Sequence, residues 1–112
     1  MSDFRDKLSQ GFRTLRKRGY FARQNFMCCQ NCGCHAIPAE YQDHYVFYHR
    51  QDDARIRAAE QMGQLPCVYL AWAGDGDAIC RAFQEAGLAT TWNHTSAQRI
   101  RVGVINVETA RN

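Results

Sequence analysis

The near-continuous apolar run Cys67-Val68-Tyr69-Leu70-Ala71-Trp72 constrains this chain more than any other segment. Six such residues in a row, β-branched and aromatic ones among them, read as a strand buried on both faces and placed centrally in a sheet. Everything around the run is patterned to cover it. Tyr45-Val46-Phe47-Tyr48-His49 reads as a second strand, and Asp52 stands as the cap of a helix of about ten residues that stops at Gly63. Asp75-Gly76-Asp77 opens another helix, with Ile79, Phe83 and Ala86 facing inward and Gly87-Leu88 as a Schellman stop. Thr90 to His94 and Arg99 to Ile105 close the chain as two strands joined by a short hairpin connection. The second of these alternates Ile100, Val102 and Val104 against Arg99, Arg101 and Gly103.

At the other end, Phe4, Leu8, Phe12 and Leu15 recur at helical spacing and form one apolar stripe. Ser2 is placed to cap that helix, Arg16, Lys17 and Arg18 suit its negative end, and Gly19 can take the positive φ that terminates it. Tyr20 to Cys28 reads weakly as a strand, because Arg23, Gln24 and Asn25 break the alternation, and Pro38 opens a short helical turn through Tyr41. The strand-helix-strand units between 45 and 94 favour parallel right-handed crossovers. The expected fold is therefore α+β: a single domain over residues 1–112, with a mixed, mostly parallel sheet. An N-terminal amphipathic helix and crossover helices pack on that sheet, and a C-terminal antiparallel hairpin completes it. With 46% hydrophobic and 22% charged residues in 112, one ordinary core is affordable and a second domain is not.

The segments Gly19-Tyr20-Phe21-Ala22-Arg23-Gln24-Asn25-Phe26-Met27-Cys28-Cys29 and Cys32-Gly33 carry a further signal, together with Val46-Phe47-Tyr48-His49 and Gln51-Asp52. With Tyr69-Leu70-Ala71-Trp72, Gly74-Asp75-Gly76, Ala86-Gly87-Leu88 and Trp92, they resemble a family of small bacterial proteins known only as a domain of unknown function. The resemblance covers most of the chain from residue 12 onward. It implies an α+β domain of bacterial origin and carries no activity with it. Cys34 and His35 are not part of that pattern.

Four thiols and an imidazole crowd the segment Cys28-Cys29-Gln30-Asn31-Cys32-Gly33-Cys34-His35, in a chain holding six cysteines. A Cys29-Gln30-Asn31-Cys32 knuckle lets two thiolates bind one zinc ion without strain, and Cys34 and His35 are the nearest groups to complete a tetrahedron, with Cys28, Cys67 and Cys80 as alternatives. The bland reading is that small, easily buried side chains simply pack, and it is the favoured one for Cys67 and Cys80. Cys29 and Cys32 also read as a dithiol couple, although Gly33 and Pro38 leave only a short broken segment where a thioredoxin-like fold has a long helix. A third constellation follows from parallel strands: their carboxyl ends would gather His49, Asp52, Asp53, Asp75, Asp77 and His94, a set able to assist hydrolysis with a metal ion. Against it, aspartates at 52, 75 and 77 are what helix N-termini prefer.

The net charge of +3 is mild, yet Arg5, Lys7, Arg13, Arg16, Lys17, Arg18 and Arg23 supply seven of the fourteen bases before residue 25. Such a first helix can meet nucleic acid, though a solvated face accounts for it as well. Tyr20-Phe21-Ala22-Arg23 has the aromatic and basic groups for stacking but is too short to argue specificity from, and Tyr69, Trp72, Phe83 and Trp92 read as core. No stretch approaches the roughly 18 apolar residues of a membrane span. With no export signal visible, the chain is expected in the cytoplasm with reduced cysteines. The function expected is a non-catalytic interaction or accessory domain with a protein partner, its cysteine loop serving structure or holding one zinc ion.

Overall fold

The computed structural model describes residues 3–27, 30–95 and 98–104. Helix α1 spans Asp3–Lys17 and is followed by the short strand β1, Phe21–Arg23. Helix α2, Gln30–Ala36, leads to a 3₁₀ turn at Ala39–Tyr41 capped by Pro38, then to β2, Tyr45–Phe47. Helix α3, Arg50–Gln61, is followed by β3, Cys67–Ala73; helix α4, Gly76–Glu85, by β4, Leu88–Thr91, and β5, Ile100–Val104. The cap expected at Ser2 and the end of the last strand at Ile105 lie outside the described residues.

The expected stripe on α1 forms as read: Phe4, Leu8, Phe12 and Leu15 are all buried. Gly19 ends the helix at φ +95°, with Gly19 N–H donating to the Arg16 carbonyl and Tyr20 N–H to the Leu15 carbonyl. That pair of bonds is a Schellman closure, and it turns the chain directly into β1. Helix α4 presents Ile79, Phe83 and Ala82 to the same core. Phe83 meets Phe12 edge to face with ring centroids 5.3 Å apart.

The sheet has five strands in the order β1-β2-β3-β5-β4, so β3 is central as its apolar run indicates. The α+β class, the mixed sheet, the N-terminal helix and the closing antiparallel hairpin all stand. The expected preponderance of parallel pairs does not: β1 and β2 run parallel, whereas β2–β3, β3–β5 and β4–β5 are antiparallel. The reason lies in how the chain leaves β2. Helix α3 is capped at His49, two residues after β2 ends, and Phe47 pairs with Ala71. Cys67 therefore starts about 13 Å beyond the end of β2, four residues at roughly 3.3 Å each. The chain between them, α3 included, ends on that far side, and β3 returns past β2.

One face of the sheet, bearing Ala22, Val46, Val68, Leu70, Ile100 and Val102, is buried under the helices. Among the described residues, the other face is covered at the β1–β2–β3 end, where Ile37, Phe47 and Ala71 form a smaller cluster with Phe21, Phe26, Cys34, Tyr41 and Tyr45 packed on it. The expectation that β3 is buried on both sides fails at Tyr69, which is 43% exposed because that cover stops short of it. Gly33 does not break α2. Instead it lets the helix lie on the Phe47 ring, since a Cβ there would sit 2.5 Å from that ring.

Gly11 makes the equivalent close approach on the main core: an added Cβ would lie 2.3 Å from Cδ1 of Phe83. Alanine favours a helix over glycine by about 1 kcal/mol, whereas forcing extra volume into a packed core costs about 1–3 kcal/mol. The clash is far inside contact distance and Phe83 is held by Phe12, so packing wins. Gly11→Ala is expected to lower the stability measured by urea unfolding by about 1–2 kcal/mol; an unchanged or raised midpoint would show that the ring can move aside.

Candidate functional site

Of the expected zinc ligands, Cys29 lies outside the described residues, as does Cys28. Cys32, Cys34 and His35 sit on α2. Residues two apart on a helix point about 200° away from each other, so Cys32 and Cys34 leave on different sides, whereas Cys32 and His35 share one. Cys34 is turned into the Phe47 cluster, on which Tyr45 also packs. His35 is exposed. Among the described residues, no three His, Cys, Asp or Glu side chains gather to hold a metal ion. Cys80 belongs to the main core, where burial pushes its thiol pKa up while a bond with Thr90 opposes the shift. Cys67 is half-buried at the start of β3.

The strand-end constellation divides in two. Because β2 runs against β3, it ends opposite Ala71 and heads toward the start of β3, so His49, Asp52 and Asp53 follow it on the side of the sheet away from Asp75, which follows the other end of β3. The metal-assisted hydrolase built from His49, Asp75 and His94 is thereby removed. Asp75 caps α4, accepting hydrogen bonds from Asp77 N–H and Ala78 N–H. His94, at φ +67°, places Nδ1 3.7 Å from Asp77 Oδ1 and its ring against Trp92. Both members of that pair are largely exposed, so it is a surface contact of small energy.

A site the sequence showed only in fragments forms where α1 meets β1. In the parallel ladder Phe21 N–H donates to the His44 carbonyl, so the next residue, Ala22, turns its carbonyl to the open edge. Arg16 Nη1 and Arg23 Nη1 each donate to that oxygen at 3.0 Å. Two guanidinium groups thus converge within about 6 Å of each other, and among the described residues neither makes an ion pair. Arg23 also lies 4.4 Å from the Phe21 ring centroid, so its plane is held between ring and carbonyl. Together with Tyr20, Phe21, Pro38 and Tyr41 they line a groove of about 370 Å³. Tyr20–Arg23 was visible as an aromatic and basic string, but Arg16 belongs to a helix, so no single periodicity joins the two arginines.

The other polar cluster is buried and committed to the fold. His49, Asp52 and Asp53 are 6%, 2% and 4% exposed. The cap of α3 is His49 rather than Asp52. Asp52 N–H donates to His49 Nδ1 at 3.3 Å, and His49 N–H donates to Asp52 Oδ2 at 3.3 Å. His49 Nε2 also lies 3.2 Å from that carboxylate, so the neutral ring with its proton on Nε2 satisfies both contacts. Arg99 Nη2 donates to Asp52 Oδ2 and to the Tyr69 carbonyl, tying α3 to the central strands. Asp53 accepts from Arg5 Nη1 at 2.8 Å and Arg57 Nη2 at 2.7 Å. Burial presses the Asp53 carboxyl upward, and the bonds from Arg57 and Arg5 more than reverse it, leaving it below its ordinary value. Burial likewise pushes the Tyr48 hydroxyl up to about 12, with Asp53 adding to the shift.

Burial, with Arg99 and Arg55 nearby, holds His49 below its ordinary value of 6.5 despite the opposing pull of Asp52. A depressed histidine means that the unfolded chain takes up its proton first. Stability is therefore full above about pH 6.5 and falls as acid is added below it, because a proton on Nδ1 destroys the cap. Asp53 adds a second loss below its ordinary 3.8. Melting temperature should slope downward between about pH 6.5 and 5 in the native protein, and His49→Asn, which keeps a capping side chain, should flatten that slope. Parallel slopes in the two proteins would remove His49 as the cause.

No helix among the described residues is long and apolar enough to cross a membrane. No curated protein and no solved structure matches the chain. The resemblance read from its motifs extends along nearly all of it: the family described as "Domain of unknown function (DUF6891)" matches residues 2–109, and the chain belongs to that family.

Proposed function

We propose that this chain is a small non-catalytic binding domain that presents the groove between α1 and β1 to an anionic partner. The observation that carries the reading is the pair Arg16 and Arg23, both held on the Ala22 carbonyl and, among the described residues, making no ion pair. Of the groups expected to do acid-base work, His49 and Asp75 cap helices, Asp52 and Asp53 accept arginines, and His94 meets Asp77 only as an exposed surface pair. Two adjacent cations fixed in place cost repulsion that an anion would relieve, and each guanidinium keeps further N–H donors for it. Thiols at Cys34, Cys67 and Cys80 suit the reducing cytoplasm, where we place the protein.

Binding to an immobilised polyanion such as heparin tests this. The double variant Arg16→Gln with Arg23→Gln keeps amide donors for the Ala22 carbonyl and removes both charges. It should elute at distinctly lower salt than Arg13→Gln with Lys17→Gln, which removes two charges elsewhere on α1. Equal elution of the two variants would reduce the region to an ordinary basic face.

The cysteine segment, on this reading, serves structure, and a zinc ion is a second proposal supported by Cys32 and His35 sharing one side of α2. Cys34 does not fit such a set while it packs with Tyr45. Protein purified without chelator should carry about one zinc per chain, released by Cys32→Ser. Absence of metal with all six cysteines titrating would overturn it. Unusually fast alkylation at Cys29 or Cys32 below about pH 8 would instead favour the dithiol couple.

A further inference from the structure

The groove offers more than charge. Its floor is aromatic: Phe21 and Tyr41 lie 5.5 Å apart at a tilt of 43°, Tyr20 stands beside them, and all three rings are half-buried. Each ring is held from behind. Tyr20 accepts a hydrogen bond from Asp75 N–H through its hydroxyl, Phe21 packs edge to face on Phe26, and Tyr41 lies against His44 at a tilt of 56°. Arg23 lies over Phe21, so its plane extends the aromatic floor while its remaining N–H groups stay available. Such a surface is prepared for a flat ring on one side and an oxyanion on the other.

Building on the anion-binding reading above, we infer that the groove takes a nucleoside phosphate, its phosphate between Arg16 and Arg23 and its base stacked on Tyr41 and the Arg23–Phe21 pair. Three features argue for this chemistry. A phosphate has enough acceptor oxygens to take N–H groups from two guanidiniums at once. Stacking on aromatic rings and guanidinium planes is how proteins hold unpaired bases without reading their edges. The cavity of about 370 Å³ lies at the small end of ligand pockets, roughly 300–1,000 Å³, which suits one nucleotide and excludes a duplex. The Ala22 carbonyl, already taking two donors, positions the arginines in advance, so the ligand does not have to order them.

Titration calorimetry of the whole chain with AMP, inorganic phosphate, phenyl phosphate and a ten-residue thymidine oligonucleotide decides the matter. AMP should bind about tenfold or more tightly than inorganic phosphate or phenyl phosphate. Tyr41→Leu should remove most of that advantage, and Arg16→Gln with Arg23→Gln should weaken all four probes by about tenfold or more. Circular dichroism of each variant verifies the fold, and Arg23→Lys, which keeps the charge but not the planar stack, gives a second reading if the double variant unfolds: it should cut AMP binding and spare phosphate. An oligonucleotide that binds more tightly than AMP identifies the source as single-stranded nucleic acid, and the reverse a free nucleotide; both support the site. If phosphate binds in an arginine-dependent way but AMP gains nothing over phenyl phosphate, the nucleotide inference falls and the anion-binding reading survives. If no probe binds, both fall.

Discussion

The direction in which the chain leaves β2 governs the rest of this molecule. Tyr48 and His49 alone separate the strand from α3, and His49 closes the first turn of that helix with its own imidazole and with Asp52. The register places the start of β3 beyond the end of β2 rather than beside its beginning. The following strand must then return antiparallel, and with it β5 and β4 take their places on the far side. Burying a histidine and two aspartates at this corner is costly unless every one is bonded, and here each is. The arginines that satisfy them come from α1, α3 and the residue just before β5, so the same bonds that offset the burial fasten the first helix and the central sheet together.

A free sheet edge invites pairing with another chain, and β1 is such an edge. Its outward carbonyl at Ala22 is covered by two arginine side chains rather than by a neighbouring strand. Charged cover of this kind blocks strand addition. It also leaves two cations side by side above half-buried rings, which is the arrangement an aromatic phosphate needs. One device thus protects the fold and supplies the groove, and neither role interferes with the core, which lies on the other face of the sheet.

Much of the architecture is legible in single segments. Phe4, Leu8, Phe12 and Leu15 announce α1, Gly19 its end, Pro38 the 3₁₀ turn, and Cys67–Trp72 the central strand, because each depends on periodicity or on one residue's backbone freedom. Less legible were features that need a partner. Tyr69 looks like core within an apolar run, yet it faces the part of the sheet left uncovered. Gly33 looks like a helix breaker, yet it marks the contact of α2 with Phe47. Asp52 looks like a cap, yet it is the residue that answers the cap, since histidine is an unusual first choice there.

The sequence by itself determined the α+β class, the order of the elements apart from α2, which forms where a cysteine loop was expected, the apolar stripe of α1 and the central position of β3, since these follow from local pattern and backbone preference. Strand direction, the separation of His49 from Asp75 and His94, and the meeting of Arg16 with Arg23 were decided only in the tertiary structure. Each of these is a relation between segments distant in direction or in kind, and a one-dimensional pattern records no angle between a strand and the helix that follows it.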